Sequence, residues 1–365
     1  LINEKIRIST IDGFRLVAIF SVMLFHFYSH WANSPGYYPY GDKYSFFSYG
    51  YLGVQFFFII SGFVIAFTLH RTRNIVVFWE KRLARLLPAM LLCSLITLFI
   101  ARTIDTDNVF PEAHSIKNFW FNLTLISPHL LNNIVPPSVS GISYLNFSYW
   151  SLWPEVQFYV LASIVYYIKP AKFARNFCIL ALILYSIFLV VQNLVGNNIF
   201  DLSTTNSFMY GCFNTVLLFN IFMYILWFSI GVIVFDIYSG EANLYNFVTL
   251  IIMVVLQLCN SADDWPVRLA FLIMLSLFLL FLYFPHLLDF LSYKPIMKIG
   301  MASYSLYLIH EVVGNILIMR YAAYFGKLDF LFPLCLIAVM IGFSLLSFRF
   351  IERPIIKFLA RKDKV

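Results

Sequence analysis

Three ionisable side chains, Asp12, Arg15 and His26, sit in the apolar stretch IDGFRLVAIFSVMLFHFYSHW (11–31), with His30 near its far end. A charge at the bilayer centre costs on the order of 3 kcal/mol or more, so such groups are functional candidates by default. Arg15 and His26 are eleven residues apart. On a helix that is close to three turns, so the two project from nearly one face about 16 Å apart, with Asp12 within roughly 60° of it. A cation at one end of a span and a titratable imidazole deep inside it suit a long ligand with a charged end. Histidine, with an ordinary pKa of about 6.5, is the natural general base at neutral pH. The blander readings are that Arg15 snorkels to the surface as an anchor and that His26 bonds a neighbouring helix.

Other segments offer further groups. Glu155, in SYWSLWPEVQFYVL (148–161), is a second buried charge. Counted from opposite ends of their spans, His26 and Glu155 both fall about 9 Å below the outer surface of a ~30 Å core. Pro154 beside it is expected to kink the helix. In FWEKRLARLLPA (78–89), Arg82 and Arg85 are three apart and can fork onto one polyphosphate; such basic loops also serve orientation alone. In MASYSLYLIHEVV (301–313), Tyr304, Tyr307 and His310 follow one another at three-residue spacing, with His310 about 15 Å deep, at the midplane.

These residues need a membrane scaffold, and the composition provides one. Of the 365 residues 61% are hydrophobic and only 12% charged, against about a quarter charged in soluble domains. The fold expected is all-α, a polytopic membrane protein forming one transmembrane domain over 1–365. About ten apolar runs are long enough to serve as spans, near 12–31, 50–69, 86–101, 149–168, 176–195, 212–235, 246–260, 267–284, 300–319 and 329–350. The run 119–131 is too short and reads as re-entrant or interfacial. With both termini cytoplasmic, all of the 25 Lys+Arg except Lys43, Arg102, Lys117, Arg268, Arg320 and Lys327 fall on inner segments. The net charge of +7 is then a matter of topology and calls for no nucleic acid. No small-residue cleavage site follows the first run, which is expected to stay as an anchor. The five cysteines, Cys93, Cys178, Cys212, Cys259 and Cys335, have no metal-type spacing and read as small buried hydrophobes.

Taken in order, IDGFRLVAIFSVMLFH (11–26), GVQFFFIISGFVI (53–65), FWEKRLARLLPA (78–89), YWSLWPEVQFYVL (149–161), SYSLYLIH (303–310) and ERP (352–354) resemble the acyltransferase-3 family of integral membrane acyltransferases. Arg15 and His26 stand at the family's R-x10-H positions. The chain departs from it at Gln55 and Val156, where many members carry acids, and the SGNH-type domain fused to some members is expected to be absent.

The resemblance implies an O-acyltransferase of the bacterial cytoplasmic (inner) membrane. Such an enzyme takes an acyl group from cytoplasmic acyl-CoA, most often acetyl-CoA, and delivers it to a hydroxyl of an envelope glycan, lipid-linked or not. On that reading His26 is the general base, and Glu155 and Asp12 complete the catalytic set. Arg15, Arg82 and Arg85 hold the phosphates of the donor, and Tyr307 and His310 line the path of its pantetheine arm. The CoA thiolate is an acceptable leaving group, so the reaction requires no metal. The competing function is a proton-coupled transporter or flippase, since buried His and Glu also form proton relays; the internal pseudo-symmetry and paired broken helices common in transporters are not visible.

Overall fold

The structure is a computed structural model that describes residues 2–31, 38–196, 214–216, 218–241, 243–261 and 264–362. Among these, no strand occurs and helices carry the chain: α1 (Ile2–Tyr28), α2 (Gly53–His70), α3 (Ile75–Ile104), α4 (Ile116–Asn122), α5 (Pro128–Ile134), α6 (Leu152–Ile168), α7 (Phe173–Gly196), α8 (Ile221–Ser239), α9 (Leu244–Asn260), α10 (Trp265–Tyr283), α11 (Lys294–Met301), α12 (Ser303–Tyr321), α13 (Leu331–Ser347) and α14 (Arg353–Lys362). Each expected span meets one of these helices, although part of 212–235 lies outside the described residues. Among the described residues, seven helices are long and apolar enough to cross a membrane, or eight when α11 and α12, bent by 65° at their junction, are taken as one broken span. This is a multi-pass membrane protein. Helices α6 and α9 have 17 residues each, at the lower limit of about 17 for a span. The stretch 119–131 is divided between the short helices α4 and α5.

The chain forms two compact units, one of residues 1–57, 79–150 and 269–365, the other of 58–78 and 151–268. In the first, α1 is the central helix. It packs against α11, α12 and the 3-10 segments Gly41–Leu52 and Pro285–Ser292, and its Phe14, Ile19, Val22, Met23 and Phe27 are fully buried. Water supplies no hydrophobic drive between helices inside a bilayer, so close backbone approach through small residues takes its place. Gly300 is the clearest case, because a side chain there would collide with the Asp12 carbonyl. Gly300→Val is expected to cost on the order of 1–3 kcal/mol through overpacking. A lowered melting temperature in detergent is the readout, and an unchanged one would show that α1 and α11 can separate freely.

In the second unit α8 is enclosed, with Ile225–Phe235 buried throughout. Phe228 stacks on Phe158 with ring centroids 4.3 Å apart and lies 4.6 Å from Phe58. Pro154 does not kink α6. It falls in the first turn of a helix that starts at Leu152, where a missing N–H interrupts no intrahelical bond. Cys93 and Cys178 are buried as expected, but Cys259 and Cys335 are exposed, so the buried reading is corrected for these two. Cys212 lies outside the described residues.

Candidate functional site

Helices α1 and α12 bring together two histidines 284 residues apart in sequence. His310 Nε2 lies 3.0 Å from His26 Nδ1, which is also 3.0 Å from the Val22 carbonyl oxygen. His310 Nδ1 in turn lies 2.7 Å from the Tyr307 carbonyl oxygen. Carbonyl oxygens only accept, so with neutral rings the tautomers follow. His310 donates from Nδ1 to Tyr307, His26 donates from Nδ1 to Val22 and to His310 Nε2, and the His26 Nε2 lone pair is left bare. That lone pair faces Glu311 Oε1 at 3.6 Å.

Glu311 is anchored from its other oxygen. Its Oε2 accepts the Ser148 backbone N–H, whereas Oε1 is buried and accepts no hydrogen bond from the described residues. Ser148 is fixed by Asn146, whose Oδ1 accepts the Ser148 hydroxyl at 2.8 Å and whose Nδ2 donates to the Leu308 carbonyl oxygen at 3.1 Å. The Tyr307 hydroxyl donates to the Ser148 carbonyl oxygen at 2.8 Å. Asn146, His310 and Glu311 are all 0% exposed, a density of buried polar groups that holds a single arrangement only when its bonds are made. A base lone pair and a carboxylate oxygen that face each other across 3.6 Å do not bond directly. A cation between them would satisfy both, and a hydroxyl entering the gap can donate its one proton to the His26 Nε2 lone pair.

Beside this pair is a cavity of about 560 Å³ lined by His30, Trp31, Phe110, Tyr144, Phe147 and Glu311, among others. Its size and apolar walls with a few polar groups are those of a small-molecule site.

The other residues named from the sequence lie as follows. Asp12 Oδ1 accepts from Arg15 Nη1 at 2.6 Å. The pair sits about 16–21 Å along α1 from His26 by helical rise, so Asp12 does not touch the imidazole. The Arg85 charge acts on both Asp12 and Glu352, and Arg82 is 8% exposed, an unusual burial for an arginine that serves orientation alone. Glu352, from the ERP segment, accepts from Ser305 and, at 3.4 Å, from Ser347. A π-helical turn over Phe348–Glu352 carries it to them. Glu155 belongs to the second unit, where Ser61 Oγ donates to its Oε1 at 2.7 Å and the Tyr159 hydroxyl donates to the same oxygen. His310, expected to line the donor path, has both ring nitrogens engaged and no exposed surface; its contact is with His26. Sequence reasoning left Glu311 and Ser148 out of the candidate set, although Glu311 is an acid inside the apolar run LIHEVV and meets the criterion that singled out Glu155.

The sequence profile of the acyltransferase-3 family, an acyltransferase domain, matches residues 8–349. The chain belongs to the acyltransferase-3 family. It is 27% identical over 384 residues to the O-acetyltransferase OatA of Staphylococcus aureus strain NCTC 8325, covering 95% of this chain and 57% of the relative. OatA of strain COL gives the same figures. The chain thus spans somewhat more than half the length of the curated relatives it matches. No solved structure matches it. Within the acyltransferase-3 chain, the R-x10-H pair is divided between two places. Arg15 lies in the charged cluster with Asp12, and His26 lies beside Glu311.

Proposed function

We propose that this acyltransferase-3 protein is an O-acetyltransferase of the bacterial inner membrane that moves an acetyl group from cytoplasmic acetyl-CoA to a hydroxyl of an envelope glycan. The observation that carries the reading is the bare His26 Nε2 opposite Glu311 Oε1, at 3.6 Å, with Glu311 lining a cavity of about 560 Å³. With the termini cytoplasmic, that cavity opens toward the outer side and admits the acceptor. The aromatic faces of Trp31, Phe110 and Tyr144 suit the apolar faces of a sugar ring. The acceptor hydroxyl enters beside His26 and donates to Nε2, and as its oxygen attacks the thioester carbonyl that proton passes to Nε2. A C–O bond forms, the C–S bond breaks, and the CoA thiolate leaves, taking up the proton that His26 releases. The Glu311 carboxylate stabilises the imidazolium while it exists.

The donor enters from the other side, its phosphates held by Arg15, Arg82 and Arg85. Asp12 positions Arg15, and the pantetheine arm spans the roughly 16 Å to His26, passing Tyr307. His310 acts through His26, fixing its tautomer, as partners behind reactive imidazoles commonly do. Glu155 is a further candidate, held by Ser61 and Tyr159. It belongs to the reaction if Glu155→Gln lowers turnover in folded protein.

Arg15→Ala and the double variant Arg82→Ala, Arg85→Ala are expected to raise the donor KM by about tenfold and leave kcat nearly unchanged, since they remove contacts made equally in ground and transition states. Added salt weakens donor binding less in these variants than in the parent protein. Unaltered donor affinity in all of them would make the basic segment a topology signal only. The function as a whole is tested by mass spectrometry of envelope polysaccharides with and without the protein. A gain of one acetyl mass on a sugar is expected, and identical polysaccharides would overturn the reading.

A further inference from the structure

The proposed base shares its surroundings with a third potential ligand. His30 follows His26 by one helical turn. Its backbone N–H bonds the Phe25 carbonyl oxygen at 2.9 Å just beyond the end of α1, and its ring lies 5.1 Å from that of His26, centroid to centroid. One ligand atom each from His26, His30 and Glu311 fall within 4.8 Å of one another. His26 and Glu311 are buried, and His30 is exposed on the wall of the cavity.

We propose that His26, His30 and Glu311 form a site for a zinc-type divalent transition metal, and that its occupation shuts off acyl transfer. This rests on the reading of His26 as the base.

The donor set fits the metal. Two imidazoles one turn apart and a carboxylate are ligands that zinc accepts, with the fourth position open to water from the cavity. The second shell fits as well. The Val22 carbonyl and His310 take the Nδ1–H of His26, and such partners fix the tautomer and turn the lone pair of the ligating nitrogen toward the metal. The buried Oε1 of Glu311 accepts no hydrogen bond from the described residues and points into the same space, while Ser148 holds the other oxygen. Zinc–nitrogen bonds of about 2.0–2.1 Å require the ligand atoms to draw closer than they stand. His30, exposed and at the end of its helix, can make that adjustment. A cation bound there occupies the Nε2 lone pair that the transfer needs and fills the gap meant for the acceptor hydroxyl, so the metal competes with the acceptor and takes no part in the chemistry.

The test uses the full chain in detergent, stripped with chelator and titrated with zinc chloride. Bound metal is read by equilibrium dialysis and site geometry by the visible bands of cobalt in its place. Acetyl transfer is followed in parallel. The wild type is expected to bind one zinc with tetrahedral cobalt bands and to lose transfer as the site fills. His30→Ala and His30→Gln are expected to bind zinc at least ~10-fold more weakly, with inhibition, read against each variant's own metal-free rate, weakened to match. Absence of zinc binding by the wild type, or equal inhibition of wild type and both His30 variants, would overturn the site. Failure of the base assignment reads differently, as transfer that survives His26→Ala.

Discussion

Replacing His26 with Ala is expected to lower kcat for acyl transfer by about a thousandfold, within the 10²–10⁴-fold range for loss of a general base. The protein should stay folded and inserted, because the imidazole contributes its lone pair to chemistry and, among the described residues, its hydrogen bonds run from Nδ1 to Val22 and His310. The pH profile gives a second readout. A base must be unprotonated to act, so wild-type activity falls on the acid side, and that limb disappears with His26. Activity of His26→Ala within about threefold of wild type would remove His26 from the mechanism. Acetylated His26 recovered from protein incubated with donor alone would replace direct transfer by a two-step relay through an acyl-histidine.

Glu311→Gln is expected to have the next largest effect, about a hundredfold fall in kcat with little change in either KM, since the charge it removes acts on the imidazolium present in the transition state. The amide is nearly isosteric with the carboxylate and can still accept the Ser148 N–H, so its folding should be close to wild type. Glu311→Ala adds a structural cost. It removes the Glu311 partner of the Ser148 N–H, which keeps its contact to Asn146, and a buried donor so weakened costs on the order of 1–3 kcal/mol. A purely structural role for Glu311 predicts the opposite ranking, with Gln fully active and only Ala impaired. Kinetics of the two variants beside their melting temperatures separate the cases.

What was legible in the sequence divides along the distance over which residues act. The Asp12–Arg15 pair is an i, i+3 contact on one helix, and its partner could be read from spacing alone. The apolar runs likewise gave helices, because in a bilayer every backbone group must bond within its own segment. Pro154 was misread over a shift of a few residues, since an expected start near 149 put it inside the helix and the actual start at Leu152 puts it in the first turn. The neighbours of His26 could not be read at all. Its contact with His310 spans 284 residues and depends on how α12 packs against α1, which no periodicity encodes. Matching depths in the membrane singled out Glu155 as a carboxylate in the His26 layer, whereas the carboxylate in contact with His26 is Glu311. Depth is one coordinate of three, and a helix such as α12, buried on all sides, gives no amphipathic stripe to supply another.

Proteoliposomes loaded with labelled acetyl-CoA, with a glycan acceptor supplied outside, test the central claim most directly: that His26, opposite Glu311, activates an acceptor hydroxyl reached from the outer side while the donor stays within. Label on the external glycan with the wild-type protein, and none with His26→Ala at equal insertion, is the predicted result. Equal labelling with both proteins, or intact acetyl-CoA or glycan crossing the membrane without acetyl transfer, would contradict it.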